Sequence, residues 1–244
     1  MKTFFLEADK WDTTCQLDGQ EAKHAIKVLR MKTGESLRLL DGKGREGIFR
    51  ITTMTKHTVE LEQQNIIEHP QPDNQYYVAI GWGKSVRRGW IFEKAVEFGA
   101  AGLWFWQADR SQSKVPSEVK EGWTGQMIGG AKQSDNPWIP TLETFQSGVE
   151  GVMRHADDFD HIFMLWEGQS PSDVLATTDL QLTGKTLFII GPEGGFSDTE
   201  AEYCQRNGAK PVSLGRRILR WETAALLCLG LSWWKGEVNN AASD

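Results

Sequence analysis

The sequence predicts an α/β chain built on a parallel sheet, preceded by a smaller β-rich segment. Three observations predict it. Short apolar runs at residues 76–80, 103–106, 161–166 and 187–190 have the composition of buried parallel strands. Helical patterns fall between them, at 88–98, 123–133, around 149–155 and after Ser197. The polar, proline-containing break from His69 to Asn74 separates this alternation from a first segment of different periodicity. The expected domains are therefore 1–72 and 73–244.

In the first segment, residues 3–7, 34–40, 48–53 and 58–62 read as strands, with Asp41-Gly42-Lys43-Gly44 as a hairpin turn. One helix interrupts them, capped by Asp18 or Gly19, with Ala22, Ile26 and Leu29 on one face and Lys23, Lys27 and Arg30 on another. Short strands with one helix in about seventy residues suggest a small β-barrel, the sort of module that often binds RNA. A merely solvated basic helix face is the equal alternative.

In the second segment, the helix at 88–98 ends at Gly99 and carries Ile91, Ala95 and Phe98 on one face. The strand at 187–190 stops abruptly at Gly191-Pro192-Glu193-Gly194-Gly195. Ser197 and Glu200 then have the spacing of a capping box, opening a helix that runs to Asn207 with Gly208 as its stop. A short run at 211–214 leads into Gly215 and the cluster Arg216, Arg217, Arg220. The final helix, 222–234, is apolar nearly all round and is expected to be buried, in part against a second subunit.

In open α/β sheets ligands bind where loops leave the carboxyl ends of strands, and glycine admits close backbone approach. The paired glycine loops at 191–195 and 215 are the first candidate site. Glycines that only make tight turns are the plainer alternative. Glu193 and the arginines favour a site, because charges beside apolar strands need partners or ligands.

Composition bounds the rest. Hydrophobic residues at 39% and charged residues at 25% are ordinary for a globular protein. No stretch is expected to span a membrane and no signal peptide is read at the start, so a cytoplasmic protein is expected. Cys15, Cys204 and Cys228, like the five histidines, lack ligand spacing, and no metal is expected. The net charge of −6 argues mildly against nucleic acid, yet residues 1–72 are balanced at eleven basic and eleven acidic, and basic clusters stand out locally. One cluster is Lys84, Arg87 and Arg88. Most of the eleven tryptophans fall in apolar runs and are expected in the core. Fingerprints for NAD and nucleoside triphosphates are both missing.

The motifs GPEGGFSDTE and SLGRRILRWETAA resemble the signature of SPOUT-class methyltransferases of the RsmE type, which methylate uracil N3 in small-subunit (16S) ribosomal RNA. His24 with Val28-Leu29-Arg30-Met31-Lys32 and Gly34 resembles that family's PUA-like barrel, and Lys84, Lys94 and Glu97-Phe98-Gly99, with Gln133-Ser134, resemble further segments. The resemblance covers essentially the whole chain. It departs at Asp135-Asn136-Pro137, where an arginine is common soon after Gln-Ser, at Lys2 and Thr3, where an arginine is frequent, and at Trp221, where a small residue is usual.

The resemblance implies a trefoil-knot α/β domain that binds S-adenosylmethionine and dimerises through the knot. Its cofactor loops are expected at Leu165, Glu167 and Gly168, at Ile190, Gly191, Pro192, Glu193, Gly194 and Gly195, and at Leu214, Gly215, Ile218, Leu219 and Arg220. RNA contacts are expected from Lys23, His24, Lys27, Arg30, Lys32, Lys84 and Arg217, with 16S ribosomal RNA as partner, either naked or within the small subunit. Uridine N3 must lose a proton, so Glu193 or Glu222 is a candidate base and Arg220 a candidate stabiliser of the uracil carbonyls. For Glu222, pairing with the helix dipole is an equal alternative. A non-catalytic RNA-binding or assembly protein on the same fold, and an enzyme for another adenine-containing ligand, are the competing readings.

Overall fold

The computed structural model describes residues 1–11, 15–83, 88–166 and 173–241. The chain forms two compact units, Met1–Gln71 with Met127–Ile139, and Pro72–Gln126 with Pro140–Asp244.

The first unit contains β1 (Lys2–Phe5), β2 (Gln16–Leu17), α1 (Gly19–Lys23), β3 (Ser36–Leu40), β4 (Arg45–Met54) and β5 (Val59–Glu68). They form a sheet of order β1-β3-β4-β5-β2, antiparallel except for the β1/β3 pair. Phe4 and Leu17, from the two opposite edges, are buried in one cluster with Leu37, Leu39, Phe49, Ile51, Val59 and Leu61. A sheet whose edges share a core must be wrapped upon itself, as a small barrel is. Register shifts at Ile48/Phe49 and Ile51/Thr53 supply the bends. Asp41 Oδ1 accepts from the amides of Lys43 and Arg45, which fixes the hairpin at the turn its sequence predicts.

The interrupting helix differs from expectation. Asp18 is its N-cap residue, but the side chain makes no capping bond. After one α-turn the backbone widens into a π-helical segment, His24–Val28, in which Leu29 N–H donates to His24 C=O. Arg30 then takes a left-handed φ of 51°, and Met31 N–H donates back to Ala25 C=O. Glycine normally fills such a terminating position.

At the other side of this unit, Asp135 also has a left-handed φ, 54°, and ends a helix. Its carboxylate accepts from Thr3 Oγ1 at 2.8 Å and pairs with Arg38 at 2.9 Å. Asp135 and Thr3, two positions where the resemblance departs from its family, thus bond to each other.

The second unit contains β6 (Asn74–Gly81), α2 (Arg88–Glu97), β7 (Gly102–Trp106), the first part of α3 (Glu121–Ser134), β8 (Thr141–Phe145), α4 (Val149–Met153), β9 (His161–Leu165), β10 (Gly184–Ile190), α5 (Asp198–Arg206), β11 (Lys210–Val212) and α6 (Trp221–Ala241). All six strands are parallel, in the order β11-β9-β10-β6-β7-β8. Helices α2 and α6 pack together, with α6 on β6 and β10, while α4 lies on β7 and β8 beside α5. Every residue of β7 is buried, as a strand covered on both faces requires.

Two expectations are corrected. Strand β11 is Lys210–Val212 rather than 211–214, because Ser213 already bonds to the loop, its amide donating to Asp173 C=O. Helix α6 is not buried all round: it packs on β6, β10 and α2, while Leu227, Trp233, Trp234 and Val238 are exposed. Trp90 is exposed too, whereas Trp11, Trp82, Trp104, Trp106, Trp123 and Trp221 are buried.

Helix α5 is pinned at its start. Ser197 Oγ accepts from Glu200 N–H, and Glu200 Oε2 accepts from Ser197 N–H. Glu200 is buried, and its other oxygen accepts from Asp109 N–H at 2.8 Å. Replacing Glu200 by Ala leaves two backbone donors without their carboxylate, and should lower unfolding stability by about 2–3 kcal/mol in urea titration.

Burial pushes the Cys204 thiol up to about 12 and raises that of Cys228 as well. Native protein treated with iodoacetamide at pH 8 should therefore be alkylated at Cys15 alone by mass spectrometry, with all three thiols reacting only after denaturation.

Candidate active site

The parallel register brings the ends of four strands to one level. Ile80 pairs with Ile190, Ile190 with Leu165, and Leu165 with Val212. The loops after β10 and β11, and the end of β9, thus leave the sheet side by side at its carboxyl edge. Leu165 and Ile190, expected in the site, lie at this edge; Glu167 and Gly168, like Lys84, lie outside the described residues.

Packing at the edge depends on missing side chains. A Cβ on Gly81 would sit 2.5 Å from Pro192 Cδ, and one on Gly83 would overlap the Glu193 carboxylate. One on Gly191 would meet Gly195 C and Phe196 at 3.1 Å. Pro192 therefore packs directly on Gly81 and the Glu193 carboxylate directly on Gly83, approaches that a side chain at either glycine would prevent. Gly195 and Gly215, with φ of 70° and 107°, have open space where a Cβ would stand.

Gly194 has a different environment from the one its motif suggests. Its Cβ position is 2.9 Å from Arg110 Cβ, and Arg110 donates from its guanidinium to Gly194 C=O at 3.1 Å. On its Cβ side Gly194 thus packs against Arg110. Ser197 Oγ likewise donates to Asp109 Oδ2 at 2.6 Å. The carboxylates of Asp109 and Glu200 thus both lie at the start of α5.

Among the remaining site residues, Glu193, Arg217, Ile218 and Arg220 are exposed, and Leu214, Gly215 and Leu219 are half-buried. Ile218 is 83% exposed, so little of it is covered by the described residues. Glu222, in the first turn of α6, is 4% exposed and makes no side-chain hydrogen bond or ion pair among the described residues. Just before it, Trp221 is buried and its indole N–H donates to Glu193 Oε1 at 3.1 Å.

Asp109, Arg110, Gly81 and Gly83 join this edge without having been singled out in the sequence. The available signal is slight: two glycines flanking Trp82 after one strand, and a charged pair shortly after another. In the first unit, Lys23, His24, Lys27, Arg30 and Lys32 are all exposed, and of these Lys23, Lys27, Arg30 and Lys32 make no ion pair among the described residues.

These loops carry groups of the kinds an S-adenosyl ligand would need. Leu165, Leu214 and Leu219 supply apolar surface, the glycine turns expose backbone at Gly195 and Gly215, and Glu193 supplies a carboxylate.

Comparison with known proteins agrees with this geometry. Residues 69–233 match the model of an RNA methyltransferase domain, and residues 17–64 match an RNA methyltransferase PUA domain. The ribosomal RNA small subunit methyltransferase E of Bacillus subtilis (strain 168) is 27% identical over 98% of both chains. That of Mycobacterium tuberculosis (strain CDC 1551 / Oshkosh) is 28% identical over 88% of this chain and 84% of its own. Among solved structures, a putative methyltransferase from Legionella pneumophila in complex with the bound cofactor SAM superposes with a TM-score of 0.81 at 26% identity, covering 95% of this chain and 96% of that one. A probable rRNA-methyltransferase from Porphyromonas gingivalis gives 0.82 at 27%, covering 96% and 97%. The fold is that of a SPOUT α/β methyltransferase domain with a PUA-like barrel, as the motifs imply. With more than half of its length matched by the model, the chain belongs to the RNA methyltransferase family.

Proposed function

We propose that this protein transfers a methyl group from S-adenosylmethionine to N3 of one uridine in small-subunit (16S) ribosomal RNA. The observation that carries the reading is the bond from Trp221, which lies between Arg220 and Glu222, to Glu193 of the glycine loop at the sheet's carboxyl edge, in a chain of this family. The names of the similar proteins from Bacillus subtilis and Mycobacterium tuberculosis support the substrate, and the Legionella pneumophila complex supports the cofactor.

The cofactor supplies a methyl group on a positively charged sulfur. The protein must hold the uracil in line with it and manage the N3 proton. Glu222 is assigned the proton: it stands in the first turn of α6 beside Trp221, and its carboxylate, without a side-chain partner among the described residues, is available to accept from a substrate N–H. Arg220 is assigned to the uracil carbonyls, where negative charge grows as the proton leaves. Leu165, Glu167, Gly168, the stretch Ile190 to Gly195, Leu214, Gly215, Ile218 and Leu219 are assigned to the cofactor.

Residues 1–72 are assigned to RNA binding and 73–244 to methyl transfer. Arg30 is central to the first role. A non-glycine residue with left-handed φ costs about 1–2 kcal/mol, so an arginine there places a cation where glycine would be easier. Lys23, His24, Lys27 and Lys32 stand near it in the chain, while Lys84 and Arg217 are assigned to RNA from the second segment. The exposed Leu227, Trp233, Trp234 and Val238 on α6 support a homodimer. The assembled small subunit is the assigned substrate and the cytoplasm the assigned compartment; among the described residues no helix is long and apolar enough to cross a membrane.

Labelled methyl transfer to small subunits lacking the modification, followed by mapping, should place one methyl group at N3 of a single uridine. Binding of S-adenosylhomocysteine without any transfer would reduce the protein to an RNA-binding or assembly role. Arg220→Ala and Glu222→Gln should each keep S-adenosylhomocysteine affinity within about threefold and lower kcat by about 10²–10³. If Glu222 only complements the helix dipole, Glu222→Gln leaves kcat intact.

Arg30→Ala should weaken RNA binding irrespective of sequence and lower the slope of log K against log salt by about one. Filter binding over a salt series measures it, and an unchanged slope would return the basic face to plain solvation.

A further inference from the structure

Trp221 and Glu193 come from different loops, 28 residues apart, and meet through one hydrogen bond of 3.1 Å. Trp221 is 5% exposed, and a buried indole N–H needs an acceptor; Glu193 Oε1 provides it. The carboxylate is confined from the other side as well. Oε2 lies over Gly83, where a Cβ would overlap it, and the preceding Pro192 is wedged against Gly81. Glu193 is an exposed residue in a glycine-rich turn, which ordinarily leaves a long side chain free to sample many rotamers. Here its carboxylate is held between an indole and a bare stretch of backbone.

We propose that Trp221 is a positioning residue that presets the Glu193 carboxylate as a hydrogen-bond acceptor for a donor group of the cofactor, a ribose hydroxyl or the ammonium. The inference rests on the methyltransferase reading above and divides the labour of its carboxylates. Glu193, tied to Trp221 and set against Gly83, binds. Glu222, with no partner among the described residues, remains for the proton. The ordering of the Glu193 side chain is complete before the ligand arrives, so binding does not bear that cost.

The test is calorimetry with S-adenosylhomocysteine on the full chain, for wild type, Trp221→Phe, Glu193→Ala and the double variant. Phenylalanine keeps most of the buried ring and removes the N–H. Trp221→Phe should raise Kd roughly tenfold, as loss of a bond that orients a charged acceptor does. The double variant should bind no more weakly than Glu193→Ala alone, because both act through one bond. In methyl transfer, kcat/KM for the cofactor should fall in step with affinity, while kcat changes far less. In the ligand-free protein, the amides of Gly194 and Gly195 should exchange faster in Trp221→Phe and in Glu193→Ala, but not in Glu193→Gln, which keeps an acceptor for the indole. The Glu193 pair leaves the buried tryptophan in place, so it decides the matter even if Trp221→Phe folds poorly.

Wild-type affinity in Trp221→Phe would overturn the proposal. So would effects of the two single variants that multiply in the double. A fall in kcat with unchanged Kd would overturn it by moving Glu193 to the proton transfer. If the wild-type chain itself bound no S-adenosylhomocysteine, the methyltransferase reading would fall, and this inference with it.

Discussion

Gly81 and Gly83 lack side chains where two other parts of the chain need the space. Pro192 stands where the first Cβ would be, and the Glu193 carboxylate where the second would. This contact lets the loop after β10 lie directly on the end of β6, its hydrogen-bonded neighbour in the sheet. Much of the site follows from it. With Pro192 seated, Glu193 is brought under Trp221, Gly194 is brought to Arg110, and the turn delivers Ser197 to the start of α5.

Parallel pairing makes such an edge possible. In a parallel sheet every strand delivers its carboxyl end to the same side, and register decides how level those ends are. Here Ile80, Ile190, Leu165 and Val212 are level, so the loops emerge side by side rather than staggered. Charged groups from distant segments can then gather around apolar strand ends. Asp109, Arg110 and Glu200 lock the loop after β7 to α5, so the glycine turn is braced by Gly81 and Gly83 on one strand end and by Arg110 on another.

The first unit applies different means to a comparable end. Its cations are carried on a helix that widens into a π-turn and closes on a left-handed Arg30. The closing bond from Met31 to Ala25 fixes the backbone there, so the side chain leaves from a defined point. Asp135, the other left-handed non-glycine residue among those described, has its carboxylate fully engaged by Thr3 and Arg38. Of these two strained positions, one is tied into the unit's own structure and the other presents its charge outward.

The sequence by itself determined the local elements. Apolar runs broken by glycine specified strands of the parallel sheet, Ser197 and Glu200 specified the capping box, and Asp41-Gly42-Lys43-Gly44 specified the hairpin, since each depends on residues a few positions apart. The motifs around Gly191 and Arg220 were enough to indicate the family. The tertiary structure decided which groups meet across the edge: Trp221 with Glu193, Arg110 with Gly194, Pro192 with Gly81. It also left one face of α6 uncovered and turned the end of the basic helix into a π-turn. No local pattern encodes these outcomes, because they depend on strand order and register, which bring together residues separated by 28 to 111 positions. Periodicity marks a helix or a strand as apolar; only the assembled sheet decides which of its faces will be covered.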